Sequence, residues 1–268
     1  MSNIAWERSE EPAAADLFRQ LGVDAVEVAP TKAWDNPLAA TDTDIRTYRG
    51  WWEDRGINIV ALQSLNYGHQ EFQIFQDAKL RSEFLEYLRG IIVLGAKLGA
   101  KVMVFGSPKN RIVGNLPQDQ ADAIAVDFFS ALGQSAADHG VVFCIEPNPT
   151  DYGCDFVTDG HSGIKLVKAV NHPGFGLHLD AAGLTLAGDE PSEVIPLSAP
   201  YLRHFHLSEP YLGELGPGKV DHFSMHNALI GCGYDRLISI EMKPGELGSN
   251  IPRVRRAIEF AQRVYGLI

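Results

Sequence analysis

Short β-branched runs alternate with longer amphipathic stretches along the whole chain, and no Pro/Gly/Ser linker or low-complexity segment divides it. The runs predict eight strands: Asn3 to Trp6, Ala25 to Ala29, Asn58 to Gln63, Lys101 to Phe105, Val141 to Glu146, Phe175 to Asp180, Leu202 to Leu207 and Arg236 to Glu241. Between them the pattern shifts to a helical period. One helix opens near Ser9 and Pro12 and closes at Gly22, a second spans Thr43 to Arg55 before Gly56, and a third ends near Gly99. A fourth runs from Gln118 to His139, with Gly140 as its C-terminal cap. The last is capped by Asn250, carries Pro252 in its first turn, and buries Val254, Ile258, Ala261 and Val264. Parallel strands need crossover connections of one hand, so the economical architecture is an α/β fold, a (β/α)8 TIM barrel, as a single domain over residues 1–268. An open doubly wound sheet is the alternative, but no GxGxxG or GxxxxGK[ST] loop follows an early strand.

Composition narrows the function classes. With 268 residues, 45% hydrophobic and 21% charged, the chain buries a large core. Its formal charge of −11 repels phosphate backbones and disfavours nucleic-acid partners. The opening MSNIAWERSEEP lacks the basic flank and apolar run of a signal peptide, and the longest apolar stretch, Gly90 to Gly106, is broken by Lys97 and Lys101. A soluble, cytoplasmic protein without membrane partners is expected. Cys144, Cys154 and Cys232 are odd in number and have no CxxC spacing, so neither a disulfide framework nor a zinc knuckle is expected.

Barrel active sites lie at the C-terminal ends of the strands, which makes the polar residues ending each run informative. FCIEPNP ends in Glu146, GLHLDAAG in Asp180, HFHLSEP in His206 and ISIEMKP in Glu241. These residues are spaced 34, 26 and 35 apart, about one βα unit each, so they occupy equivalent positions on adjacent strands and converge. One acid at a strand end is commonly a surface salt bridge. Four at matching ends form a hard ligand set that suits Mn²⁺, Mg²⁺ or Co²⁺.

These four motifs, in this order, resemble the xylose isomerase-like barrel superfamily, especially its sugar isomerase and epimerase branch with ketose 3-epimerases and hydroxypyruvate isomerase. The resemblance implies one divalent cation on Glu146, Asp180, His206 and Glu241, with Glu146 and Glu241 also the acid/base pair on opposite substrate faces. It also implies homo-oligomeric assembly. The chain departs from its relatives at three places. Gly183 stands where several carry a histidine, Leu212 where ketose epimerases have an arginine, and Tyr152 where they have a glutamate. The residues that read a free ketose are therefore replaced, and the loss of the histidine argues against a multinuclear zinc site of the DNA-repair kind.

Other residues fill out the expected site. Lys109 and Arg111, in the loop after the Lys101 to Phe105 run, could hold a phosphate or carboxylate or simply be solvated. Glu209 and Lys243 follow His206 and Glu241 closely enough to reach a sugar hydroxyl, and Trp6 or Trp34 could wall the carbon face of a sugar or pack the rim. His178, His204 and Cys144 lie two positions before ligands, so strand alternation aims them into a deeper, packed layer. Asp221 reads as a helix cap rather than a ligand with His222, and Trp51 and Trp52 as helix-to-barrel packing. The function expected is a divalent-metal-dependent isomerase or epimerase of a sugar or related polyhydroxy keto compound. A lyase or dehydratase shares the first proton abstraction and is the main alternative. A non-catalytic metabolite-binding barrel and an endonuclease are others.

Overall fold

β-Branched and aromatic runs buried on both faces form one parallel sheet in the computed structural model, which describes residues 1–266. The strands are β1 (Ala25–Val28), β2 (Asn58–Leu62), β3 (Val102–Phe105), β4 (Val142–Ile145), β5 (Phe175–Asp180), β6 (Leu202–Leu207) and β7 (Ile238–Ile240). They pair in chain order, each with the next, all parallel. Helices fill the connections: α1 (Glu11–Leu21), α2 (Pro30–Ala33), α3 (Asp42–Glu53), α4 (Ala78–Leu98), α5 (Gln118–Asp138), α6 (Gly160–Val170), α7 (Ala181–Ala187), α8 (Pro191–Ser198), α9 (His222–Gly231) and α10 (Ile251–Tyr265). None is long and apolar enough to cross a membrane.

Among the described residues seven strands are present where eight were expected, and the difference lies at the first. Asn3 to Ala5 form a 3₁₀ turn rather than a strand. Closure falls instead to the two residues before it. The Ser2 N–H donates to the Ile240 carbonyl at 2.9 Å, and the Glu27 N–H donates to the Met1 carbonyl at 3.0 Å. Met1 and Ser2 thus stand between β1 and β7 and complete the ring with two backbone bonds. The Asn3 side chain then turns back to accept the Ala29 N–H, which accounts for the loss of extended conformation.

The local signals for helices hold with small shifts of boundary. Thr41 and Asp44 form a reciprocal capping box on α3, and Gly22 and Gly99, both left-handed, end α1 and α4. Asn250 does not cap α10 through its side chain. Its Oδ1 accepts the Gly245 N–H while its own N–H and Nδ2 donate to Glu10 at the start of α1. That arrangement ties the last helix to the first. Trp52 is fully buried and stacks on Phe18 between α3 and α1, as helix-to-barrel packing requires.

Candidate active site

Four strand ends converge at one cavity, with Glu146, Asp180 and Glu241 in its lining and His206 buried beside them. Asp180 ends β5 and His206 lies beside it in the parallel register on β6. Glu146 follows β4 directly and Glu241 follows β7. His206 Nδ1 lies 3.4 Å from Glu241 Oε2, and one ligand atom each from Asp180, His206 and Glu241 fall within 4.8 Å of one another. Glu146 shares the cavity wall with Asp180 and Glu241, but its carboxylate is turned toward Gly106. A Cβ at Gly106 would come 2.5 Å from Glu146 Oε2, so the glycine makes room for the acid. Asp180 is fixed from both sides: Oδ1 accepts the Gly183 N–H that starts α7, and Oδ2 accepts the Ser208 hydroxyl. Each oxygen keeps a second lone pair.

The charges on this floor oppose one another. Burial first, and then repulsion from Glu241 and Asp180, pushes the Glu146 carboxyl up to about 8. Burial and Glu241 likewise raise Asp180 to about 6. Desolvation works against the His206 proton, yet Glu27 and Glu241 hold its pKa well above the usual imidazole value. Acids that repel one another around an imidazole are stabilised by a cation among them. His206 Nδ1 is also buried without a hydrogen-bond partner and faces those acids. The donor set therefore fits a divalent ion.

Behind the floor lies a residue that the strand-end reading passed over. Glu27, on β1, is fully buried, with Oε2 2.9 Å from His206 Nε2 and Oε1 3.3 Å from His204 Nε2. Despite its desolvation, the two imidazoles hold its carboxyl well below the usual range. It therefore accepts a hydrogen bond from His206 Nε2–H and leaves Nδ1 facing Glu241. The parity argument that sends His178 and His204 inward also applies to the acid in AVEVA. Both histidines and Cys144 are fully buried as expected. Glu27, His204 and His206 make a second cluster of potential ligands, since their atoms also lie within 4.8 Å. That cluster is sealed under the floor, and one of its carboxylate oxygens, Glu27 Oε2, is already hydrogen-bonded to His206 Nε2 at 2.9 Å. Asp180 and Glu241 line the cavity and meet His206 Nδ1 there, so this group is the one an ion can reach.

The remaining site residues are distributed unevenly. Lys109 is exposed and lines the cavity. Glu209 also lines it, but its carboxylate is turned back, accepting the Lys219 N–H at 2.9 Å and lying 3.3 Å from His222 Nε2. Arg111, expected at an anion, is fully buried behind the cavity wall. Its guanidinium donates to the Glu146 carbonyl at 2.7 Å and to Asn148 Oδ1 at 2.9 Å. It fixes the backbone that carries Glu146. Trp6 is buried edge-on against Phe18, away from the cavity, because the turn at Asn3–Ala5 leads it under α1. Lys243 is exposed and outside the wall, with its N–H donating to the Leu212 carbonyl. Asp221 caps α9 by accepting the Ser224 N–H.

The cavity has a volume of about 730 Å³, and Tyr67, Tyr152, Tyr211 and Leu212 stand in its wall. Periodicity could not single these residues out, because they lie on loops.

Residues 15–264 match the profile of the xylose isomerase-like TIM barrel family. The chain is similar to the L-ribulose 3-epimerase of Methylomonas sp. (strain DH-1), 26% identical over 235 residues, which covers 84% of this chain and 76% of that protein. Its fold is similar to that of D-psicose 3-epimerase from Clostridium cellulolyticum H10, solved with D-tagatose. There the TM-score is 0.80 at 18% identity, covering 99% of this chain and 98% of the other. It is also similar to the IolI protein solved with a zinc atom, with a TM-score of 0.80 at 18% identity and coverage of 99% and 97%.

Proposed function

The chain belongs to the xylose isomerase-like TIM barrel family, and from that premise we propose a divalent-metal-dependent isomerase or epimerase acting on a sugar or related polyhydroxy keto compound. The observation that carries this reading is the unpartnered His206 Nδ1 facing Asp180 and Glu241 on the cavity floor, with Glu146 in the same wall. Sugar epimerases among the relatives support the substrate class.

Asp180, His206, Glu241 and Glu146 would hold the ion, and their mostly oxygen donor set favours Mn²⁺, Mg²⁺ or Co²⁺. When bound, the ion supplies the positive charge that stabilises the anion left when a proton departs from carbon next to a carbonyl. Glu27 holds the His206 ring so that the same nitrogen always faces the floor. One of Glu146 and Glu241 removes the proton. The other returns one from the opposite face, which inverts the centre; return to the neighbouring carbon exchanges aldose and ketose. Gly106 and Arg111 set the position of Glu146 for this work, and Lys109 is placed to meet an anionic group on the substrate.

The reading is tested by incubating the Mn²⁺-loaded protein with ketohexoses and ketopentoses in D₂O. Recovered isomer should carry deuterium at the exchanged carbon, and Glu241→Gln should lower that rate by about 10²-fold or more. An unsaturated product, or wash-in at near wild-type rate in Glu241→Gln, would overturn it.

A further inference from the structure

The mouth of the cavity differs in character from its floor. Tyr67, in the loop after β2, is 73% exposed, and Tyr211, in the loop after β6, is 56% exposed; Tyr152 and Leu212 complete the rim. Tyr67 and the Tyr152–Tyr211 pair line the same cavity from the loops after β2, β4 and β6. Aromatic rings left in water at a cavity rim are surfaces that a ligand gains by covering.

The backbone is bent to keep the tyrosines there. Tyr211 and Leu212 have φ of 62° and 58°, two consecutive left-handed residues with side chains, a conformation that persists only where its surroundings enforce it. The Tyr211 N–H donates to the Tyr152 hydroxyl at 3.2 Å, and the two rings meet edge-on at 5.7 Å. The Lys243 N–H holds the Leu212 carbonyl at 2.9 Å. Meanwhile two acids of this loop turn away, Glu209 toward Lys219 and Gly218, and Glu214 to Arg253 and Arg256. What faces the mouth from here is flat and apolar. A cavity of about 730 Å³ accommodates a ligand larger than a monosaccharide.

The geometry points to a glycoside as the substrate class: a keto sugar ring on the acids, with a flat apolar aglycone held between Tyr67 and the Tyr152–Tyr211 pair. This inference rests on the sugar-transforming reading above. It is tested by calorimetric titration of the Mn²⁺-loaded protein with D-fructose, methyl β-D-ribo-hexopyranosid-3-ulose and p-nitrophenyl β-D-ribo-hexopyranosid-3-ulose, a free keto sugar and the methyl and aryl glycosides of a keto sugar. The aryl glycoside should bind about tenfold tighter than the methyl glycoside, and the preference should fall below about threefold in the double variant Tyr67→Ala/Tyr211→Ala. Unchanged Mn²⁺ affinity and melting temperature in that variant establish that the floor and fold are intact. Equal affinity for the three probes, or a preference that survives in the double variant, overturns the proposal. The two readings fail separately: deuterium wash-in on free ketoses without an aryl preference removes only the glycoside, whereas an aryl preference without wash-in on any keto sugar removes only the chemistry.

Discussion

The imidazole of His206 has two nitrogens with different neighbours: Nε2 meets the buried Glu27 carboxylate at 2.9 Å, and Nδ1 meets the cavity acids. Because a carboxylate only accepts, this pairing selects the ring proton that stays and the nitrogen that is available to an ion. Glu27→Gln preserves shape but removes the charge, so Mn²⁺ affinity measured by calorimetry should fall about 10- to 100-fold while the fold persists. Wild-type affinity in that variant would show that Glu27 only fills space. At this scale the sequence was partly legible. Glu146, Asp180, His206 and Glu241 could be read because each ends a run. Glu27 sits in the middle of one, where a lone acid among valines declares burial without its partner. Arg111 was read for its charge alone, while its position behind Glu146 depends on a loop path that periodicity does not describe.

Between β3 and β4 the site depends on a missing methyl group. Gly106 follows β3 and borders the Glu146 carboxylate, so Gly106→Ala must push that carboxylate aside. The displaced atoms are the far end of a flexible side chain, which makes the change cheap for the fold and costly for proton transfer. The melting temperature should stay within about 2 °C of wild type, while kcat falls at least tenfold. Normal turnover would place Glu146 outside the reaction. The strands after the first and the helices α1, α3, α4, α5 and α10 were legible at this scale because each βα unit repeats one buried run and one amphipathic face. The exception, Asn3 to Trp6, has apolar residues like a strand but is curled by the bond from the Ala29 N–H to the Asn3 side chain, a contact 26 residues away. Tyr67 and Tyr211 escaped for the related reason that their loops follow no period, while Tyr152 and Leu212 were marked only by the comparison with relatives.

For the molecule as a whole, the buried acids on the floor make stability depend on pH. Glu146 is raised from 4.5 to about 8, so the folded state binds its proton more tightly than the unfolded chain does. That contribution is fully present below about pH 4.5 and is lost as pH rises through about 8; raised His206 has the same sign above 6.5. The α-amino group of Met1, lowered from 8.0 to about 6 by burial, has the opposite sign over part of this window. It is present with or without an ion and cancels from their difference. Metal ligands bind in deprotonated form, so the rise in melting temperature on adding Mn²⁺ should grow between pH 6.5 and 8. A pH-independent rise would mean that these groups are not the ligands.

The ring closed by Met1 and Ser2 also imposes an order of events. Ser2 meets Ile240, a residue 238 positions further along, and three of the four floor residues belong to β5, β6 and β7 or follow them directly. Contacts so distant in sequence form late, because a long loop must close before they stabilise anything. Emerging from the ribosome, the chain can pair β1 to β4 well before it owns a seam. Barrel and cavity floor are therefore completed together, by the same final strand.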